Sequence, residues 1–273
     1  MGAASEAARH RFRAPSNSQR NTISNVKQRG PIALPPLPPS GERTLWQGLP
    51  GAAAALALSD AAERFGRPVV AVVANEGRAY ELESELRFFA SGEVPVVHFP
   101  DTEVLPYDGF SPHQEILSDR MAALYRLPSM RHGIVILTAD ALLARLPPRA
   151  WLDGRAFELT VGQRLDPIAF RERLVAAGYQ SVSEVQTQGE FAVRGALVDL
   201  FPMGSAAAYR IDLFDDEIET IRVFDPETQR STEQVKEVRM LPARDFPTDK
   251  SGIETFRANY RAYFAGDPSR SRI

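Results

Sequence analysis

The sequence predicts an α/β protein in two parts: a domain built on a parallel sheet, followed by a small α+β domain. Between residues 41 and 148, short apolar runs alternate with helical patterns, which is the order of parallel strands joined by crossover helices. After Pro147-Pro148, expected strands outnumber expected helices, which is typical of an α+β domain. A chain of 273 residues with 44% hydrophobic residues can give each part a core. We therefore place domain boundaries near residues 40, 148 and 240, with 241–273 returning towards the first domain.

In the first part, the expected boundaries of helices and strands coincide with glycine and proline residues. One helical pattern ends at Gly66, an apolar run follows Pro68, and a later helical pattern ends before Pro128. Alternating strands and helices imply a sheet that is covered on both faces. The expected strands are 69–74, 94–99 and 134–138, and the expected helices are 52–65, 77–90, 116–127 and 139–146.

In the second part, one helix is bracketed by clear start and stop residues. Asp166 is its expected N-cap, Pro167 its first helical residue, and Gly178 follows its last turn. Two central apolar runs, 191–201 and 209–214, are separated by a Pro-Met-Gly-Ser segment and read as two strands. The remaining expected elements are strands at 157–161, 182–186, 218–224 and 233–241 and a helix at 256–264.

The strand at 209–214 has an unusual second face. Period two puts Arg210, Asp212 and Phe214 together, opposite an ordinary core face. Arginine and a large aromatic residue on a rigid sheet are the residue types that dominate protein–protein hot spots. Gly195 interrupts the preceding strand and is interpreted as a bulge that decides the face of Arg194. The alternative is a solvated face with a single exposed phenylalanine, which is common in proteins.

Composition excludes several classes of protein. The net charge of −3 provides no global basic field for binding phosphates, and the absence of cysteine excludes disulfides and cysteine-based zinc sites. No apolar run approaches the roughly 20 residues of a membrane helix, and no secretory signal is visible, so we expect a cytoplasmic protein without a membrane partner. Residues 1–40 are basic and then proline-rich, and we expect a disordered tail without an assigned function.

The sequence shows no catalytic, cofactor or metal site. A phosphate-binding loop would follow a first strand, where the sequence reads Gly48-Leu-Pro-Gly51 and then four alanines. A Walker A loop needs a lysine and a serine or threonine, and none of the three lysines follows a glycine-rich turn. The four histidines lack metal-ligand spacing. The acidic run at 215–217 could bind a cation or perform acid–base chemistry, but turn chemistry after a strand explains it better.

Several long motifs resemble one family. Residues 190–204 and 209–217 include Gly-Ala-Leu-Val-Asp-Leu-Phe-Pro-Met-Gly-Ser. They resemble the UvrA-binding domain shared by the excision-repair protein UvrB and the transcription-repair coupling factor family (Mfd), and this form is closer to the coupling factor. The segment 99–126, with Leu-Pro-Tyr-Asp and Ser-Pro-His-Gln-Glu, resembles the same family, as does Leu-Pro-Ala-Arg-Asp-Phe-Pro-Thr-Asp at 241–249. The resemblance extends from Leu45 to about residue 264.

The resemblance implies a function for each part. The first part would be a helicase-core-like domain that lacks nucleotide motifs, and the second a UvrB-interaction-like domain that binds UvrA. The family's binding surface corresponds here to Arg194, Arg210 and Phe214, with Asp212 pairing with or tuning the arginines. Arginines would bond to UvrA carboxylates while the phenylalanine fills a small apolar pocket. Alanine at Arg210 or Phe214 is then expected to weaken binding by about 1–3 kcal/mol with little change in stability.

The resemblance also implies that the chain is part of something longer. Family members contain an RNA-polymerase-binding module and an ATP-dependent motor that translocates on double-stranded DNA, neither of which is present here. We therefore expect a non-enzymatic fragment. Two alternatives remain open: a stand-alone nucleotide- or nucleic-acid-binding α/β protein that uses the carboxyl edge of its sheet, and an inert structural remnant.

Overall fold

The computed structural model describes residues 37, 41–90, 92, 94–105, 108–247 and 249–264. The chain divides into two compact units, residues 1–48 and 49–273, and residues 41–48 of the first form neither helix nor strand. The expected disordered tail, 1–40, lies outside the described residues except for Leu37. Three residues of the family motifs, Pro106, Tyr107 and Thr248, also lie outside them.

A parallel sheet of three strands forms the first half of the second unit, as predicted. The strands are β1 Pro68–Val73, β2 Val96–Phe99 and β3 Gly133–Thr138, and the helices are α1 Ala53–Phe65, α2 Glu76–Phe89, α3 Gln114–Arg126 and α4 Ala139–Leu143. The strand order is β1-β3-β2, and all pairs are parallel. The central strand β3 is buried along its whole length, because it has a neighbour on each side and helices against the sheet.

The first half departs from prediction in three places. Val70 and Val72 on the edge strand β1 are 56% and 48% exposed, so complete coverage of both sheet faces was a wrong prediction in the described part. Helix α4 ends at Leu143 rather than at residue 146, because Ala144 has left helical geometry. Residues 42–50 contain no strand, so the glycines before α1 do not lie in a strand-to-helix connection.

The second half contains a six-stranded sheet and a separate two-stranded sheet. Its elements are α5 Arg149–Asp153, β4 Phe157–Thr160, α6 Pro167–Ala176, β5 Gln180–Ser181, β6 Glu190–Arg194, β7 Leu197–Leu200, β8 Ala208–Phe214, β9 Glu217–Phe224, β10 Ser231–Val235, β11 Glu237–Met240 and α7 Lys250–Phe264. The large sheet has the order β10-β9-β8-β7-β6-β5, antiparallel except between β5 and β6. Strands β4 and β11 pair antiparallel. Helix α6 begins as predicted, with the Asp166 carboxylate accepting bonds from the first-turn amides.

The apolar run 191–201 is a hairpin rather than one strand. Residues Gly195 and Ala196 form a two-residue turn, so that Arg194 lies opposite Leu197. Gly195 has a φ of 64°, which glycine adopts without steric cost at the first position of such a turn. The bulge interpretation of Gly195 was therefore wrong. The apolar pattern continued across the turn because both strands of the hairpin contribute to the core.

Two other expected strands were also wrong. Residues 182–186 form a loop: Val182 still donates to the Phe191 carbonyl on β6, but the backbone amides of Gln186 and Thr187 bond to the Glu190 carboxylate instead of a neighbouring strand. The expected strand 233–241 is divided at Lys236: β10 pairs with β9, whereas β11 pairs with β4.

One buried cluster includes residues from both halves of the second unit. Met121 on α3 and Phe191 on β6 belong to it. Within it, the buried Tyr179 hydroxyl donates a 2.7 Å bond to the Leu241 carbonyl and accepts a 3.1 Å bond from the Met203 amide. Burial raises the pKa of Tyr179, so the hydroxyl stays protonated and able to donate. The domain boundaries at 148 and 240 stay predictions, since the packing is continuous across them.

The segment after β11 packs first and is then exposed. Leu241 and Ala243 are buried, whereas α7 has no buried residue among those described. An aromatic stripe of Phe256, Tyr260 and Phe264 follows one side of α7, with ring centroids 5.9 and 5.0 Å apart. No helix in the described part of the chain is long and apolar enough to cross a membrane.

Candidate protein-binding site

Strand β8 separates a core face from a polar face, as its alternation predicted. Ile211 and Leu213 are buried, with 0% and 6% exposure. Arg210, Asp212 and Phe214 project from the opposite face, where exposure increases towards the end of the strand. Because the neighbouring strands pair antiparallel, with one register shift between β8 and β9 at Asp212/Leu213, residues of β6, β7 and β9 join them on this face. We call this surface the arginine face; it includes Arg194, Asp199, Arg210, Asp212, Phe214, Thr220 and Arg222.

Phe214 is the most exposed apolar side chain of the arginine face. Its exposure is 68%, at the last residue of β8 and opposite Glu217 on β9. The two strands are joined by Asp215 and Asp216, and Asp215 has a φ of 54°. Aspartate tolerates this left-handed backbone, so the acidic run is turn chemistry, as interpreted from the sequence. The turn presents the phenylalanine ring at the tip of a rigid hairpin.

Arg210 is bound mainly to its own protein. Its Nε and Nη2 donate bonds of 2.7 and 2.9 Å to the two carboxylate oxygens of Asp199, and Nη1 donates a 3.1 Å bond to the Gln229 carbonyl. Hydrogen bonding to Asp199 raises the pKa of Arg210. Only 14% of the Arg210 side chain is exposed, and its guanidinium also lies 5.0 Å from the centre of the Phe224 ring. The arginine is therefore fixed in place.

Arg194 is the more accessible of the two predicted arginines. It lies at the end of β6, beside the hairpin turn, and half of its side chain is exposed. Its Nη2 donates to Oδ2 of Asp199, the oxygen that also accepts from Nη2 of Arg210. The structure thus brings Arg194 and Arg210 together through a shared carboxylate.

Asp212 does not pair with either predicted arginine. Its Oδ2 accepts a 2.5 Å bond from Nη2 of Arg222 and a 2.7 Å bond from the Thr220 hydroxyl, both on β9. The expected pairing with Arg194 or Arg210 is therefore replaced by one across the next strand pair, but after hydrogen bonding to Asp199 the charge of Asp212 also raises the pKa of Arg210, which is the expected tuning. In β8 and β9, Arg222 lies opposite Arg210 and Thr220 opposite Asp212.

Sequence reasoning missed Asp199 and Arg222 as members of this site. Treating 191–201 as a hairpin would have placed Asp199 opposite Ala192, near Arg194, but its position opposite Arg210 depends on the separate pairing of β7 with β8. Arg222 was in an expected strand, but its neighbours depend on strand order, which the sequence did not specify. Together, these three arginines and two aspartates carry one net positive charge beside an exposed aromatic ring, and the Glu217 carboxylate lies on the same face, opposite Phe214.

This arrangement offers groups suited to recognition of a partner. Its arginines and aspartates are hydrogen-bonded to one another, although Nε of Arg222 is buried without a partner, and no group of metal-ligating side chains occurs among the described residues. A guanidinium can bond to a carboxylate through two parallel N–H groups, and an exposed aromatic ring can fill a pocket in a partner. The arginine face can therefore bind a protein that presents a carboxylate beside an apolar depression.

Comparison with known proteins assigns the second half of the chain to a class of protein domain. Residues 157–246, which contain β4 to β11 and the arginine face, match the family described as the UvrB interaction domain. The chain is thus a protein with a UvrB interaction domain.

Relatives that match this chain over a longer stretch identify the family. The chain is 45% identical over 225 residues to the transcription-repair-coupling factor of Escherichia coli (strain K12), covering 82% of this chain and 19% of that protein. It is 45% identical over 229 residues to that of Haemophilus influenzae, covering 84% and 20%, and 37% identical over 212 residues to that of Myxococcus xanthus, covering 76% and 18%. The chain spans about a fifth of the length of these relatives. It is homologous to the transcription-repair coupling factors and corresponds to their UvrB-like region, which confirms the resemblance found in the sequence.

Proposed function

We propose that this chain recruits UvrA in transcription-coupled nucleotide excision repair by presenting a surface like that of UvrB. The observation that carries the proposal is the arginine face itself: an exposed phenylalanine beside arginines that are already ordered, inside the region matching the UvrB interaction domain. UvrB and this chain would then compete for one site on UvrA. Since the described part of the sheet is rigidly hydrogen-bonded, we expect binding without large backbone changes.

Each predicted site residue has a role in the proposed recognition. Phe214 fills an apolar pocket of UvrA, which removes its exposed ring from water. Arg194 bonds to a UvrA carboxylate, and Arg210 supports it from a more buried position. Asp212 holds Arg222 at the side of the arginine face and limits the positive charge of that face.

The wider role is proposed from the family. In a longer coupling factor, this region would supply the contact to UvrA, and other regions would bind RNA polymerase and move along double-stranded DNA using ATP. This chain itself would be a cytoplasmic interaction module without ATPase activity, since it has no lysine in a glycine-rich phosphate loop.

Calorimetric titration against purified UvrA tests the proposal. We expect the parent chain to bind, and Phe214→Ala to weaken the affinity by about 1–3 kcal/mol while the variant remains folded. Arg194→Ala is expected to weaken binding as well. Phe88→Ala is the matched control, because Phe88 is 80% exposed but lies on α2, outside the arginine face. Added UvrB should displace the chain.

Three results would contradict the proposal: no binding by a folded parent chain, equal affinity of Phe214→Ala and the parent, or simultaneous binding of UvrB and the chain to one UvrA site. A parallel titration with ATP and with DNA addresses the alternative of a nucleotide- or nucleic-acid-binding protein. Measurable affinity for either, together with none for UvrA, would favour that alternative.

A further inference from the structure

The arginine face is organised around a carboxylate that a partner cannot reach. The Asp199 side chain has 0% exposure, although it lies on the outward face of β7. It is covered by the two guanidinium groups that bind it. Three hydrogen bonds converge on its two oxygens, one from Arg194 and two from Arg210.

The sheet register brings these three residues together. Asp199 lies directly opposite Arg210 on β8, and on its other side it faces Ala192 on β6. Arg194 is two residues further along β6 and therefore reaches Asp199 diagonally. The small side chain of Ala192 leaves room for this approach. Two long side chains from different strands thus converge on one buried group.

Burying a carboxylate is costly unless its charge is compensated, and here two positive charges surround one negative charge. The bidentate bond from Arg210 already neutralises Asp199. The additional positive charge resides on Arg194, whose side chain is 50% exposed against 14% for Arg210. A partner carboxylate would therefore meet Arg194 first.

Fixing an arginine before binding also has a thermodynamic consequence. An arginine side chain loses much rotamer freedom when it is immobilised, and an unordered one would lose that freedom only on meeting the partner. Because Asp199 holds both guanidinium groups in the unbound chain, this loss occurs during folding. The bound arrangement is then reached with a smaller entropy loss.

We infer that Asp199 is a positioning residue for partner binding: it fixes Arg194 and Arg210 in the orientation that an acidic partner surface requires, without contacting the partner. The inference rests on the proposed binding of UvrA. It assigns different roles to the two arginines, with Arg194 as the contact and Arg210 as part of its support.

The first test needs no partner. Side-chain ¹⁵Nε relaxation should show Arg194 and Arg210 ordered in the parent chain, compared with Arg164, which is 84% exposed. In Asp199→Asn, the order parameter of Arg194 should fall towards that of Arg164. Equal mobility of Arg194 and Arg164 in the parent would overturn the inference.

The second test is affinity for purified UvrA. Asp199→Asn, which is nearly isosteric, should weaken binding roughly tenfold or more, since two side chains then lose their freedom on binding. The double variant, which combines Asp199→Asn with Arg194→Ala, should have an affinity close to that of the single variant that binds UvrA less tightly, because both changes act through Arg194. Glu158→Gln is the control: it removes a carboxylate from the arginine pair with Arg239, on β4 and β11, and should leave affinity unchanged.

Parent-like affinity of folded Asp199→Asn, or additive losses in the double variant, would overturn the inference. If Asp199→Asn does not fold, Arg194→Lys takes its place: it keeps the charge but loses the planar fork, and full affinity of that variant would be the overturning result. If the parent does not bind UvrA, the proposed function fails, while the relaxation measurement still decides whether Asp199 holds the two side chains.

Discussion

Replacing Arg210 by alanine should make the protein easier to unfold. This differs from the expectation from sequence, in which stability would hardly change. The alanine variant leaves the Asp199 carboxylate buried, with only Arg194 to compensate its charge. It also removes the donor to the Gln229 carbonyl. Loss of a bidentate charged pair at a buried carboxylate costs about 2–4 kcal/mol, below the 3–5 kcal/mol of a fully broken buried pair because Arg194 remains.

Urea unfolding followed by far-UV circular dichroism measures this effect. With a slope of about 2 kcal/mol per molar urea, the midpoint of Arg210→Ala should fall by about 1–2 M. Phe214→Ala is the internal comparison, because a side chain that is 68% exposed should change stability by only about 0.5 kcal/mol. Equal midpoints for the two variants would refute the reasoning, since they would show that the Arg210 bonds contribute no net stability. The difference also matters for binding assays, in which Arg210→Ala must be compared at equal folded fraction.

Two further predictions concern stability. Burial lowers the pKa of His98, but bonding to Glu83 and the charges of Glu83 and Glu76 outweigh it, so the net pKa is raised above 6.5. The stabilisation by charged His98 is therefore complete below about pH 6.5 and is lost as pH rises through the folded pKa. Urea midpoints of the parent and His98→Gln should converge with rising pH. Midpoints that stay a constant distance apart across this pH range would contradict the prediction. Tyr179→Phe should cost about 1–3 kcal/mol in urea unfolding, because it leaves the buried Leu241 carbonyl and a buried amide without their partner; an unchanged midpoint would contradict it.

Local patterns in the sequence predicted much of the fold. Helix α6 was bracketed correctly by Asp166, Pro167 and Gly178, because capping and helix-stop chemistry depends on neighbouring residues in the chain. The three parallel strands and most helices were found within a few residues. The hairpin at Gly195 was missed, since an unbroken apolar run does not distinguish one long strand from two short strands joined by a glycine turn.

In the candidate site, too, some features could be predicted from local sequence patterns and others could not. Alternation along β8 was sufficient to place Arg210, Asp212 and Phe214 on one non-core face, because side-chain direction in a strand follows from period two alone. The roles that Asp199 and Arg222 have as ion-pair partners could not be predicted, since these pairings cross strands whose register and order depend on the whole sheet.

What the sequence determined by itself was the mixed α/β class with its three-stranded parallel sheet, the family and the polar face of one strand, all of which follow from local patterns and motif order. The tertiary structure decided which arginine is accessible and which is held, with Arg194 half exposed and Arg210 mostly buried. The physical reason is that accessibility depends on packing between strands far apart in sequence, where a single buried carboxylate on β7 gathers side chains from β6 and β8.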